Sequence, residues 1–284
     1  MVNETDKQNP GDLADLPVDH KILVEADTLT PEPQAIQFAA RMAGALQARL
    51  AGCFVENQAL MDLAALPFAS EVSFGGTVKP FQRERLEREW AAQAKQAETV
   101  FAAAAAAAGL AWSFEVRRGK PIFSMLEAAA REDVVVLNPG ARLTPAGDLA
   151  RAVRAATGEI HADVLLTGRG MRGEGGTRRT PDVTARGTLV ALDDMTSRGE
   201  ACCAVAQSLA ERAGMNFIPL RTSASSLSDV ADLLRQLAPS LVIVDANAAI
   251  FAQDDNVARL STAAGCPVYL LGSERKLTLV SVTP

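Results

Sequence analysis

The chain has 284 residues, a length that suggests two domains, and its 48% hydrophobic and 22% charged residues are the balance of a globular core. A net charge of −6 with a single short basic stretch excludes a nucleic-acid-binding face, which needs clustered cations against phosphates. No apolar run approaches the ~20 residues that span a bilayer, and neither the two histidines nor the four cysteines stand at zinc-ligand spacing, which sets membrane and metal roles aside.

Residues 1–19 lack an apolar stretch and read as a disordered lead without a secretory signal. Four cysteines with no such leader are expected as reduced thiols, which points to the cytoplasm. Ile22–Ala26 is a short apolar run, read as a buried strand. Thr30-Pro31-Glu32 is a helix-start signal, and Ile36, Ala39, Ala40, Ala43, Leu46 and Leu50 follow at helical spacing. Leu50–Glu56 reads as the second strand.

Asn57–Pro80 carries Pro67, Gly75, Gly76 and Pro80 and reads as a long irregular loop. Leu60, Met61, Leu63, Leu66 and Phe68 make it a candidate lid or contact surface. Phe81–Ala108 is the longest predicted helix, with Leu86, Trp90, Ala94, Ala97, Phe101 and Ala104 on one stripe and Gly109 as its stop. Ala111–Arg117 alternates as a third strand, and Lys120-Pro121 opens a helix through Ala130. Asp133–Leu137 is a fully apolar fourth strand, followed by a helix at Leu149–Ala156 and a fifth strand at Ala162–Thr167.

Gly168–Gly187 interrupts this pattern with glycines and arginines and reads as a solvated linker. Gly168-Arg169-Gly170-Met171-Arg172-Gly173 matches a dinucleotide fingerprint by spacing alone. No helix begins inside it, so the linker reading stands. Thr188–Leu192 then repeats the chain's opening, an apolar run ending in aspartate. Further strands are expected at Asn216–Leu220, Leu241–Asp245 and Pro267–Leu271, and helices at Gly199–Ala213, Leu227–Leu237 and Asp255–Ala264. One helix–strand pair is missing relative to the first half, and Lys276–Val282 is a candidate terminal strand.

Alternating strands and helices with continuous apolar strands predict α/β units whose parallel sheets are covered by helices on both faces. The expected organisation is a lead at 1–19, a first unit at 20–168, a linker at 169–187 and a shorter second unit at 188–284.

The order of elements resembles the universal stress protein family. The resemblance is carried by Ile22-Leu23-Val24-Glu25-Ala26-Asp27, Arg118-Gly119-Lys120-Pro121, Asp133-Val134-Val135-Val136-Leu137 and Ala264-Gly265-Cys266-Pro267-Val268-Tyr269-Leu270-Leu271. It covers the first half nearly end to end and the second in part. It implies the adenine nucleotide alpha hydrolase-like fold, with two tandem units that pair within the chain.

Many members of that family bind ATP through a G-x-x-G-x9-G-[ST] loop after the fourth strand, where glycines let backbone N–H groups approach phosphates. Here Gly140 stands near the first glycine position, residue 143 is leucine, and the closing Gly-Ser or Gly-Thr is absent. In the second half Asp245-Ala246-Asn247-Ala248-Ala249-Ile250 has no glycine. The family's aspartate after the first strand is retained as Asp27 and Asp193, and a strand-end aspartate is more readily a helix cap than a ligand contact.

The reading is therefore a non-catalytic regulatory or interaction module of a stress response, without a cofactor. Its partner is a protein or a second copy of itself, with neither nucleic acid nor membrane involved. The alternative is an adenine-nucleotide-binding protein whose first unit uses Asp27, Val55, Asn138 and Gly140 to hold ATP or a related nucleotide at the strand ends. No triad and no G-x-S-x-G elbow supply a catalytic residue.

Overall fold

The computed structural model describes residues 20–26, 33–72, 75–137, 146–167, 187–222, 226–251 and 256–274. The first part of the chain forms β1 (Lys21–Ala26), α1 (Pro33–Leu46), β2 (Arg49–Asn57), α2 (Gln58–Ala64) and a small hairpin of β3 (Ser70–Val72) and β4 (Val78–Pro80). It continues as α3 (Arg83–Ala108), β5 (Trp112–Gly119), α4 (Pro121–Ala128), β6 (Val134–Leu137), α5 (Ala146–Arg154) and β7 (Asp163–Leu166). The second part runs β8 (Thr188–Asp193), α6 (Ser197–Ala213), β9 (Asn216–Arg221), α7 (Leu227–Leu237), β10 (Leu241–Asp245), α8 (Asn256–Ala264) and β11 (Val268–Leu271). The expected lead at 1–19, nearly all of the linker and the strand at Lys276–Val282 lie outside the described residues.

The apolar strands form because they are buried on both faces. Every residue of β6, β7, β10 and β11 is buried, which is what a continuous apolar run signals in a parallel sheet. α1, α3 and α6 pack on one face, and α4, α5, α7 and α8 on the other. The buried stripe of α3 is Leu86, Trp90, Ala94, Ala97, Phe101 and Ala105, one position later at its end than the expected Ala104. Gly109 stops that helix at φ 64°, a left-handed conformation that costs a glycine little.

Nine strands join in one sheet, ordered β5-β2-β1-β6-β7-β11-β10-β8-β9. All neighbours are parallel except β7 and β11, which pair antiparallel with Leu165 opposite Tyr269. The two expected parallel sheets are thus halves of one mixed sheet. Every residue of β7 and β11 is buried, so leaving either as an open edge would expose its apolar residues, and pairing the two strands keeps both covered. On the far side of β8, β9 has no further neighbour, so the second half lacks a counterpart of β5 among the described residues.

Asp163 pins this seam. It is fully buried and accepts hydrogen bonds from Tyr269 Oη at 2.7 Å, Gly272 N at 2.9 Å and Ser273 N at 2.8 Å. All three donors belong to the other half of the sheet. Gly272 is required there, because a Cβ would stand 2.4 Å from the Ala162 carbonyl.

Asn57–Pro80 is more ordered than its composition suggests. Asn57 Oδ1 accepts from Ala59 N at 3.0 Å and caps α2, while Met61 and Ala64 are buried. The prolines and glycines bound the helix and hairpin and do not disrupt them.

Candidate functional site: two crevices at the sheet's switch points

In each half the chain reverses its winding direction between two adjacent strands, β1 and β6 in one and β8 and β10 in the other. The carboxyl ends of such a pair diverge and leave the crevice in which open α/β sheets hold ligands. The β7–β11 pairing is antiparallel, so the two crevices open at opposite ends of the sheet.

At the first crevice the structure describes Val55 alone of the four expected residues; Asp27, Asn138 and Gly140 lie outside the described residues. Val55 stands one position beyond the last β1–β2 pair, Ala26 with Phe54, and lies opposite Arg117 of β5. Its side chain is fully buried in the core beneath α4 and α5. Only its main chain can serve a ligand, and the side chain is packing. The nearby charges are matched: Arg117 Nε donates to Glu115 Oε1 at 2.8 Å, and Arg118 Nη2 to Glu56 Oε2 at 2.6 Å. The hydrogen bond that Arg117 donates to Glu115 holds it above the usual guanidinium range against its partial burial. Cys53, on the same face, is pushed up to about 12, mainly by burial and then by Glu115, so it is a neutral packing thiol.

At the second crevice the ends of β8 and β10 are described, and an ion pair lies across them. Arg198, in the first turn of α6, crosses to Asp245 at the end of β10. Its Nε lies 3.0 Å from Oδ2 and its Nη2 3.0 Å from Oδ1. Asp245 also accepts from Asn247 N at 3.2 Å and is buried. The hydrogen bond to Asp245 raises Arg198 above the usual range, opposing its desolvation. A carboxylate thus occupies the strand end that a phosphate loop would leave open, and it uses the local cation itself.

The turn into α6 is built by acceptors. Asp193 Oδ1 takes Met195 N at 2.9 Å, and its Oδ2 lies 3.4 Å from Arg221 Nε. Asp194 Oδ1 takes Thr196 Oγ1 at 2.6 Å, and Thr196 Oγ1 accepts Gly199 N at 3.1 Å. The helix cap is therefore Thr196 and not Asp193, which folds the turn three residues earlier. Gly199 permits this close turn, since a Cβ would stand 2.4 Å from Asp194 Oδ1.

Sequence reasoning did not single out Arg198. The available signal was electrostatic: an arginine in the first turn of a helix faces the positive end of the helix dipole and calls for an anionic partner. A separate surface groove of about 460 Å³ lies where α1, α3 and α6 end, beside Gln47 and Arg212. It coincides with neither crevice. No helix among the described residues is long and apolar enough to cross a membrane.

No protein-family model matches the chain, and no curated protein sequence matches it. Solved structures match through the fold. A universal stress protein from Archaeoglobus fulgidus DSM 4304 aligns over 89% of this chain and 96% of its own, with a TM-score of 0.55 and 8% sequence identity. A functionally unknown protein from Pseudomonas aeruginosa PAO1 aligns over 90% of this chain and 93% of its own, with a TM-score of 0.51 and 10% identity. At such identities the likeness defines the fold: this chain has the α/β architecture of a universal stress protein.

Proposed function

We propose that the chain is a universal-stress-protein-like regulatory or interaction module of the cytoplasm. In this reading it is built from tandem units at 20–168 and 188–284 and acts without turning over a substrate. The observation that carries it is the Arg198–Asp245 pair. A nucleotide entering the second crevice would have to displace a bidentate ion pair and set its phosphates against the Asp245 carboxylate. The exposed apolar side chains of the α2 region support a role in contacts, above all Phe68 at 77% exposure, with Leu60, Leu63 and Leu66 beside it.

A second reading keeps an adenine nucleotide in the first crevice, held by Asp27, Val55, Asn138 and Gly140. The position of Val55 beyond the end of its β1 pairing favours it, because the main chain there is next to the crevice mouth. One experiment separates the two. The purified protein is heat-denatured, the released small molecules are run on ion-exchange chromatography, and ATP is titrated calorimetrically. The module reading expects no nucleotide and no heat. An adenine nucleotide at near-equal stoichiometry, lost in Asp27→Ala, would establish the second reading instead.

A further inference from the structure

The sheet ends in two unlike edges. β9 carries Pro219 in its middle, and proline supplies no N–H to a new strand, so that edge is blunted. β5 has no proline, and in the described residues it has a strand neighbour on one side only. Its outer half is half-exposed: Val116 at 52%, and the side chains of Glu115 and Arg117 at 44% and 35%. α2 packs against β5, and its Leu60 and Leu63 are exposed.

We propose that this edge is covered by a second copy of the chain, β5 against β5, antiparallel about a two-fold axis through Val116. The register follows from the strand's own charges. Trp112, Phe114, Val116 and Arg118 lie on the α3 face, and Ser113, Glu115 and Arg117 on the other, as their β2 partners show. A two-fold normal to the sheet must pass through a residue, since an axis between residues would oppose side chains of different faces. The longest overlaps come from axes through Glu115 or Val116. The first sets Glu115 directly against its own copy, a destabilising like-charge pair. The second sets the Glu115–Arg117 pair of each chain, already joined at 2.8 Å, beside its copy in a four-charge ring with Glu115 opposite the partner's Arg117, and sets Val116 on Val116. An axis one residue further on sets Arg117 against its own copy. The favoured contact is isologous and uses the one unblunted edge of each chain, so it closes as a dimer and does not propagate. This inference goes beyond the proposed function and holds whether or not the first crevice takes a nucleotide.

The test is the solution mass of the full chain by sedimentation equilibrium, with Glu115→Arg and Arg117→Glu as separate variants. The wild type is expected at twice the chain mass of 29.9 kDa. Each single variant opposes like charges twice across the axis and is expected as a monomer. An equimolar mixture of the two again opposes unlike charges at both positions and is expected to return to the dimer mass, which also shows that both variants are folded. A monomeric wild type, a single variant that dimerises as the wild type does, or a mixture that stays monomeric would each overturn the assignment.

Discussion

Replacing Asp163 by alanine tests whether the β7–β11 seam is held as described. The carboxylate is fully buried and takes three donors from the other half of the sheet, Tyr269 Oη, Gly272 N and Ser273 N, all within 2.9 Å. Alanine leaves these donors without this acceptor, in a site closed to water. A buried donor without a partner costs about 1–3 kcal/mol, and the three share one site, so their losses do not add fully. An expected loss of about 4 kcal/mol is a large fraction of the ~5–15 kcal/mol that stabilises a typical domain. Tyr269→Phe removes one charge-assisted bond and should cost about 1.5–3 kcal/mol. Urea unfolding of the wild type, both single variants and the double variant gives the coupling directly. Because Tyr269 acts through Asp163, the double variant should cost less than the sum of the singles. An Asp163→Ala loss under about 1 kcal/mol, or additive singles, would refute the account of the seam.

Gly52→Ala should destabilise by about 1–3 kcal/mol, since the new methyl would stand 2.5 Å from Phe114 Cδ2; Phe114→Leu in the same chain should recover part of the loss in a thermal melt. Thr196→Ala removes the α6 cap bond to Gly199 N and should cost about 1 kcal/mol, whereas Thr196→Ser should melt with the wild type. Burial pushes the thiols of Cys53 and Cys266 up to about 12 and that of Cys202 higher still, from an ordinary 9.0. The folded state therefore keeps protons that the unfolded chain releases. Stability is full below about pH 9 and falls as pH rises, by up to ~1.4 kcal/mol per unit for each thiol. Melts between about pH 8 and 10.5 should show a shallower alkaline decline for Cys202→Ala than for the wild type, and parallel declines would contradict this.

The strands and main helices were legible because burial on both faces leaves an unmistakable mark. Val134–Leu137 and Leu241–Val244 could be read only as interior strands. The α2 region was misread because Pro67, Gly75 and Gly76 outweighed a seven-residue helix whose only buried side chains are Met61 and Ala64. The continuity of the sheet was not legible at all. Nothing in the local pattern of β7 or β11 says which buried strand lies beside which, and the polar lock between them joins residues about a hundred positions apart, Asp163 and Tyr269. At the crevices the glycine-poor loop after β10 was visible in the sequence. The arginine that pairs with Asp245 was not, because the two meet only when α6 packs over β10.

The two crevices also differ in what a substitution can reveal. Arg198 is half-exposed at 46% while Asp245 is almost fully buried, so the pair is held from the acid side. Removing Arg198 strands a buried carboxylate, whereas removing both charges restores neutrality at the cost of one exposed cation. Loss of the arginine alone therefore cannot turn this crevice into a phosphate site, because Asp245 would meet the phosphate unshielded. Only Arg198 together with a neutral residue at position 245 would present a cation to an anion there. That asymmetry separates a crevice whose cation is held by its own buried carboxylate from one whose cation is free to meet an anion.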